Sequence, residues 1–600
     1  MRIRIGQVFE EVLGEKDGSV LKAMLLGEKK DLDKDIKKLY QQASISHVLC
    51  ISGLHITFLG MGLYRLLKRI MLPQWCRMSF CILLMLLYGR MTGMGNSAMR
   101  AIFMFSLSLF AGVVGRSYDM LTALAVSMVL ILVENPLYIQ QSGFLLSFGA
   151  VMGMGVVTPV LYTKENRIGT DRKSLQFADR IRSRALSGLA GGLGVFLATL
   201  PVLLQNFYEV APYSLLLNLL VLPLSTILLP AGLLIPVLYA VYPPLANIPG
   251  AVCRLILLLF ERGCRLSLTL PGSRFTVGHV ESWQVILYYM ILTVLVITGN
   301  CYRKRFPGRM RAIFVLGAVF VLTAPTWQGG IRVTMLDVGQ GDCFLIQSGR
   351  TEILVDGGSS SEKDVGRKRI LPVLKYYGIR ELDYILISHT DEDHVNGIKE
   401  LLAEGEIRCK MLALPRTADW EAVLPQNRKP PMCCLLQSGD KIKEKGFVIT
   451  VLHPLPDEAM QDANSTSMVI LLQGEGSSML FNGDLPGEQE ALFLEDGLLL
   501  KELEKDRTEG KAGNVILKAG HHGSNGSTTE ELLDALKPVL TIVSCGKNNI
   551  YGHPGEDFLK RVSDNGSRVL VTAWDGTCEF VLKKGSVEVK TGQSRSGIDL

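Results

Sequence analysis

Long apolar runs crowd the chain between about residue 50 and residue 326, then give way to short runs with ordinary charge between them. A helix that crosses a bilayer needs roughly 17–25 apolar residues. Stretches that meet this fall at 54–71, 76–93, 99–115, 119–134, 138–162, 187–205, 213–228, 229–243, 283–299 and 311–326, some short enough to be half-helices. Residues 250–261 are apolar but bring Arg254 and adjoin Arg262, which predicts a helix lying at the membrane interface. Ahead of the first run, residues 1–45 are charged, with Val8, Val12, Val20, Leu21, Met24 and Leu25 at helical spacing. That pattern predicts an amphipathic surface segment and not a cleavable leader. The pattern thus divides the chain into 1–45, a multi-span region 46–328 and a second region 329–600.

Beyond residue 330 the period changes. Ile331–Leu336, Cys343–Gln347 and Thr351–Val355 read as strands separated by Asp- and Gly-rich turns, and a helix follows around Ile370. Tyr384–Ile387, Met479–Phe481, Val515–Leu517 and Leu540–Val543 are further buried strands. A polytopic α-helical membrane region followed by an α/β domain is the predicted architecture.

Charge and composition sharpen this only in places. Lys and Arg number 63 against 57 Asp and Glu, a balance too even to indicate a partner. The 12 cysteines form no C-x-x-C pair, which excludes a zinc knuckle and gives no disulfide framework. The short loops after the first and fifth runs and before the last are rich in Lys and Arg; placed in the cytoplasm, they deliver residues 330–600 to the outer face. One miscounted span would place that region in the cytoplasm instead. Polar residues interrupt the apolar runs at His47, Ser52, His55, Arg100, Ser147 and Asn218. Such groups are costly in a membrane unless paired or lining a wet path. Singly, each is explained by helix–helix hydrogen bonding; their number across several spans favours a path.

The chemistry concentrates at strand ends. Ser388-His-Thr-Asp-Glu-Asp-His394 follows one apolar strand, Asp484 ends another, His521-His522 end a third, and His553 follows a fourth. Histidine and carboxylate together suit divalent ions that activate water. A lone Asp or His after a strand is usually a turn residue or a satisfied polar group, whereas four strand ends with ligand chemistry define a site.

His389-x-Asp391-x-Asp393-His394, with Asp356 before it and Asp484 and His521 after it, resembles the metal motif of the metallo-β-lactamase superfamily. The resemblance implies a four-layer αβ/βα sandwich with two divalent metal ions, Mn or Zn, at one edge of the sheets. It implies that His389 and Asp391 serve one metal, that Asp393, His394 and His521 serve the other, that Asp484 bridges them, and that Asp356 buttresses the loops. His389, His394, Asp393 and Asp484 are thereby the expected catalytic set. The superfamily's further histidine is missing between the first motif and the bridging Asp. Either His453 or the Asn464-Ser-Thr-Ser467 turn could stand there, and Asn464 is favoured, which tilts the preference towards Mn. Lys518, His522, Ser544, Lys547 and His553 are candidates for contacting phosphate.

His47-Val-Leu-x-Ile-Ser-Gly-Leu-His55, Arg100, Gly143-Phe-Leu-Leu-Ser-Phe148 and Asp337-Val-Gly-Gln-Gly-Asp342 resemble the ComEC family of DNA-internalisation competence proteins. The resemblance implies a multi-pass protein of the bacterial cytoplasmic membrane that passes one DNA strand and degrades the other from duplex at the outer face. Its implied surroundings are the lipid bilayer, other competence proteins including a separate ATPase (no Walker motif is present), and a homo-oligomer. The additional N-terminal spans and oligonucleotide-binding domain of many members are expected to be lacking. A membrane-tethered hydrolase of another phosphoester or a thioester, and a DNA channel with an inactive hydrolase-like domain, are the competing readings.

Overall fold

The computed structural model describes residues 2–49, 53–162, 173–302, 307–325, 329–419, 421, 423–424, 431–456, 462–508, 513–592 and 598–599. It separates into two compact units, Met1–Ala324 and Pro325–Leu600.

In the first unit, six helices among the described residues are long and apolar enough to cross a membrane: Asn96–Val114, Ser142–Leu161, Arg182–Phe207, Ser214–Val241, Pro243–Thr269 and Ser282–Cys301. Helices also form at Gly53–Arg69, Gln74–Met91, Met120–Glu134 and Gly308–Thr323. Two expectations are corrected here. The runs 213–228 and 229–243 are one helix, Ser214–Val241, that continues through Pro223, Pro230 and Pro236. Proline reads as a breaker in water, but away from water a helix that continues keeps most backbone groups paired. Residues 250–261 belong to Asn247–Thr269 and bury Gly250, Cys253, Ile256, Leu257 and Phe260.

Residues 1–45 are only partly on the surface. They form helices Arg2–Leu13, Glu15–Leu26 and Lys34–Gln42, and every residue from Gly18 to Leu26 is buried. Leu21 and Leu25 pack against Gly232, where a Cβ would lie 2.8 Å from Leu25 Cδ1, and Val12 packs against Gly250 in the same way. These side chains share one core with Val221, Ile235 and Phe260. The charged residues hid this from the sequence. Lys22, itself buried, is paired with Glu10 at 2.9 Å and Asp31 at 3.0 Å.

Two local devices hold the rest of this bundle. Gly153 and Gly194 let Ser142–Leu161 and Lys173–Phe207 touch backbone to backbone: a Cβ on Gly153 would come within 2.5 Å of Gly194 O. Pro201 has no N–H, so the carbonyl of Leu197 loses its helical partner. The hydroxyl of Tyr288 donates to that oxygen at 2.6 Å, and Tyr289 donates to Ala198 O at 3.1 Å. Tyr288 is fully buried and is thus dedicated to this repair.

Among the described residues the second unit has sixteen short strands, named here in chain order. They are β1 (Ile331–Met335), β2 (Phe344–Ser348), β3 (Thr351–Val355), β4 (Glu381–Leu386), β5 (Arg408–Pro415), β6 (Met432–Leu436), β7 (Lys441–Glu444) and β8 (Phe447–His453). Then come β9 (Val469–Gly474), β10 (Ser477–Phe481), β11 (Val515–Lys518), β12 (Leu540–Val543), β13 (Arg568–Val571), β14 (Cys578–Lys583), β15 (Ser586–Thr591) and β16 (Ile598–Asp599). One sheet has the order β16-β15-β14-β1-β2-β3-β4-β5-β6 and the other β13-β12-β11-β10-β9-β8-β7. Strand alternation explains the layering. Ile331, Val333 and Met335 of β1 point into the same core as Ile449 and Ile516 of the other sheet, while Leu345 and Leu354 face the helix Glu392–Glu404 and Leu517 faces Leu532 and Phe558. The layers are helices, sheet, sheet, helices. Strands β3 to β6 run parallel, as do β10 to β13, so their C-terminal ends gather at one edge.

Tyr288→Phe removes the donor for Leu197 O without removing the ring. It is expected to lower the stability of the detergent-purified protein by about 1–3 kcal/mol, the cost of one buried unpaired carbonyl. Thermal unfolding of the two proteins side by side measures it.

Candidate metal centre

The polar edge is assembled by glycines. Asp342 precedes β2, Asp356 follows β3 and His394 lies in the first turn of Glu392–Glu404. A Cβ on Gly341 would overlap the carbonyls of Gly358 and Asp393, so only glycine lets these three loops meet. Their backbones then bond across: Asp342 N donates to Asp393 O at 3.2 Å and Gly358 N to Asp342 O at 3.2 Å.

Three imidazoles converge here, each pinned through its Nδ1. Asp356 accepts from Ser388 N and from Ser388 Oγ, both at 2.7 Å, which uses the hydroxyl proton. The 3.0 Å contact between Ser388 Oγ and His389 Nδ1 therefore has the imidazole as donor. His394 Nδ1 donates to Asp356 Oδ2 at 3.0 Å, and His522 Nδ1 donates to the carbonyl of Ser544 at 2.8 Å. With Nδ1 protonated in all three, Nε2 is the lone-pair nitrogen of each neutral ring. All three Nε2 atoms are buried and make no hydrogen bond among the described residues. They face carboxylates: Asp484 Oδ2 lies 3.3 Å from His394 Nε2 and 3.3 Å from His522 Nε2, Asp393 Oδ2 is 3.6 Å from His522 Nε2, and Asp391 Oδ2 is 3.7 Å from His389 Nε2. His389, His394 and Asp484 offer ligand atoms within 4.8 Å of one another, and so do Asp393, His394 and His522. Buried ring nitrogens that lack a donor and surround a carboxylate are the donor set of a divalent ion, so these residues fit one.

The charges agree. Burial opposes the charged form of Asp484, yet His522 and His394 hold its carboxyl well below the usual range. Burial likewise works against protonated His522, but Asp484 and Asp342 raise its pKa to about 10. His394 is raised by Asp484 and Asp356 against its burial. His389, buried and next to His394, is pushed down to about 3. The negative field that favours a second proton on two of these rings is the field a divalent cation would occupy.

Some expected residues fall elsewhere. His521 does not enter the cluster; its ring packs at 5.8 Å from that of His553. His522 enters instead, because both residues adopt left-handed backbone conformations (φ 43° and 54°) and the doubled turn swings the second side chain inward. Lys518 does not present itself to a ligand. It alternates with Leu517 to face the space between the sheets, is buried, forms an ion pair with Asp342, lies 3.6 Å from Asp484 and donates to Gly483 O at 2.7 Å. Ser544 is also buried: its carbonyl holds His522 and its hydroxyl donates to Gly341 O at 2.6 Å. His453 ends β8, fully buried, with Nδ1 at 2.8 Å from Ser467 O, rather than sitting on a loop. Asn464 keeps a buried Oδ1 without a hydrogen bond, and its neighbours Ala463 and Thr466 line a cleft of about 200 Å³ together with His389, Thr390 and Thr417. Asp391 is half exposed, its pKa raised by burial and by Asp393. Lys547 is exposed and His553 partly buried on the loop after β12.

The residue that sequence reasoning passed over is Asp342, buried between Lys518 and His522 Nδ1 at 3.4 Å. Its signal was present in the glycines at 339 and 341, which mark a close backbone approach just before an acid.

In the first unit, Ser52 lies outside the described residues. His47 sits in the short turn Ser46–Leu49, and His55 is buried in Gly53–Arg69. Arg100 lies against Gly53, where a Cβ would come within 2.7 Å of its guanidinium. Ser147 Oγ and Asn218 Oδ1 are buried without hydrogen-bond partners among the described residues, each on a different helix.

Residues 24–300 match the family described as "Competence protein", and residues 336–547 match the "Metallo-beta-lactamase superfamily". The protein class is therefore a multi-pass membrane region joined to a metallo-β-lactamase-like four-layer αβ/βα sandwich. The chain is 27% identical over 597 residues to ComE operon protein 3 of Bacillus subtilis (strain 168), covering 94% of this chain and 71% of that protein. It is 27% identical to Recombination protein 2 of Haemophilus influenzae over 99% of this chain and 75% of that one. To Competence protein ComA of Neisseria gonorrhoeae it is 25% identical over 96% of this chain and 76% of the relative. With both regions in one chain and similarity that runs nearly end to end, the chain is similar to ComEC-type competence proteins.

Lys518 compensates Asp342 where water does not reach. Lys518→Met is expected to destabilise the protein by about 3–5 kcal/mol through the stranded carboxylate. Lys518→Met with Asp342→Leu should recover much of that loss, and chemical denaturation of the single and double variants measures the difference.

Proposed function

We propose that this protein takes up DNA across the bacterial cytoplasmic membrane and that its second unit is a divalent-metal phosphodiesterase that degrades the strand not transported. The observation that carries the reading is the meeting of three buried, donor-free Nε2 atoms around Asp484. In this reading His389, Asp391, Asp393, His394, Asp484 and His522 hold two ions, with Mn favoured because three carboxylates share the site with only three ring nitrogens. Such ions supply Lewis acidity towards a phosphodiester and a nucleophile from water at neutral pH.

The chain's own residues do the rest. Asp356 and Ser388 orient His389 and His394, and the Ser544 carbonyl orients His522. Lys518 offsets part of the negative charge of Asp342 and Asp484, so the centre can hold several carboxylates without losing them to protonation. The cleft beside His389, floored by Thr390, Thr417 and Thr466, offers hydroxyl groups to a phosphate backbone.

The multi-pass region supplies the route, with His47, Ser52, His55, Arg100, Ser147 and Asn218 as path residues. Fusing two of the expected crossings and counting Pro243–Thr269 as another leaves their parity unchanged, so the loop charges still support an outer-face position for the second unit. Partner proteins, including a separate ATPase, and a homo-oligomer complete the proposal.

End-labelled duplex DNA incubated with the purified protein is expected to be degraded with Mn²⁺ and protected by a chelator. Asp484→Asn is expected to lower the rate at least about 100-fold, as loss of a group shared by the reacting centre does. Cutting by Asp484→Asn at the wild-type rate would refute the reading.

A further inference from the structure

The rings of the centre do not stop at His522. His389 and His394 lie 4.1 Å apart between centroids, His394 and His522 5.4 Å, His522 and His521 6.3 Å, His521 and His553 5.8 Å, and His553 and Tyr551 5.8 Å. This is a continuous file of rings from the buried cluster to the surface, and its last pair is stacked, with planes only 13° apart.

The outer end is built rather than loose. Asn549 clamps the loop that carries it: its Nδ2 donates to Gly546 O at 2.9 Å and His553 O at 2.6 Å, and its Oδ1 accepts from His553 N at 2.9 Å. Gly546 N in turn donates to Gln340 Oε1 at 3.0 Å, which ties the loop to the strand-β1 side of the centre. Tyr551 is 59% exposed and its neighbour Ile550 is 91% exposed, so a fixed aromatic ring and an apolar side chain stand in water beside a polar catalytic edge. Lys547 is exposed on the same loop.

We propose that Tyr551, stacked on His553, is a platform for a nucleobase of a single-stranded segment whose phosphodiester lies at the His389–His394–His522–Asp484 cluster. It deepens the phosphodiesterase reading and rests on it. Every base has a π-face, so such a platform holds a strand without reading its sequence. A base already stacked in a duplex must be unstacked to use it, so the platform selects frayed or unpaired strands. It thus names the substrate class of the site as nucleic acid single strands and not small phosphoesters.

The test separates base from backbone. The full-length protein in detergent, with chelator present so that nothing is cut, is titrated with a labelled oligothymidylate and with an abasic strand of the same length and charge. Wild type is expected to bind the base-bearing strand about tenfold or more tightly, Tyr551→Ala to bind the two alike, and Tyr551→Trp to keep the preference. A wild type that binds both strands equally, or a Tyr551→Ala protein that retains the full preference, overturns the platform. Cleavage of the same labelled oligothymidylate by the wild type with Mn²⁺ in place of the chelator is read separately. Its absence refutes the phosphodiesterase and leaves the binding result to judge the platform by itself.

Discussion

The constraint on which the second unit turns is the burial of carboxylates. Asp342, Asp356 and Asp484 are each nearly inaccessible to water, at the ends of strands from both sheets. Isolated, any one of them would lose its charge or unfold its surroundings. Lys518 between Asp342 and Asp484 and the two imidazoles facing Asp484 offset the charge of those two, while the Ser388 amide and hydroxyl donate to Asp356. The same arrangement that makes the aspartates tolerable leaves three ring nitrogens without donors at one point. Structural compensation and the chemistry of the centre are one network.

The membrane unit meets a related constraint in the backbone. Helices interrupted by proline must find partners for the carbonyls they release, and here a buried tyrosine from another helix serves that role at Leu197. Where helices need to approach closely, glycines at 153 and 194 remove the side chains that would keep them apart. A bundle held by such fitted contacts can carry polar groups such as Ser147 and Asn218 in its interior, because its packing does not depend on a continuous oily seam.

Much of this was legible beforehand. Periodicity located the strands, and the His389-x-Asp391-x-Asp393-His394 cluster, Asp356 and Asp484 stood out because each ends an apolar strand. What misled was local geometry. The choice between His521 and His522 depends on two successive left-handed residues, a conformation that neither residue type announces. The direction of Lys518 depends on which face of β11 meets the other sheet, and the helix Glu15–Leu26, charged at its start, is buried because other helices close around it. The prolines of Ser214–Val241 carried the signature of breaks because their cost is normally judged against water.

By itself, then, the sequence determined the elements, the division between membrane-forming and sheet-forming halves, and the residue types that a metal centre requires. These follow from hydropathy and short-range stereochemistry, which act along the chain. The tertiary structure alone decided which histidine of the pair turns inward, that Asp342 and Lys518 belong beneath the centre, and that Tyr551 ends a file of rings on the surface. Those outcomes depend on which loops the glycines allow to touch and on which charges must balance once water is excluded, and neither is defined until distant segments meet.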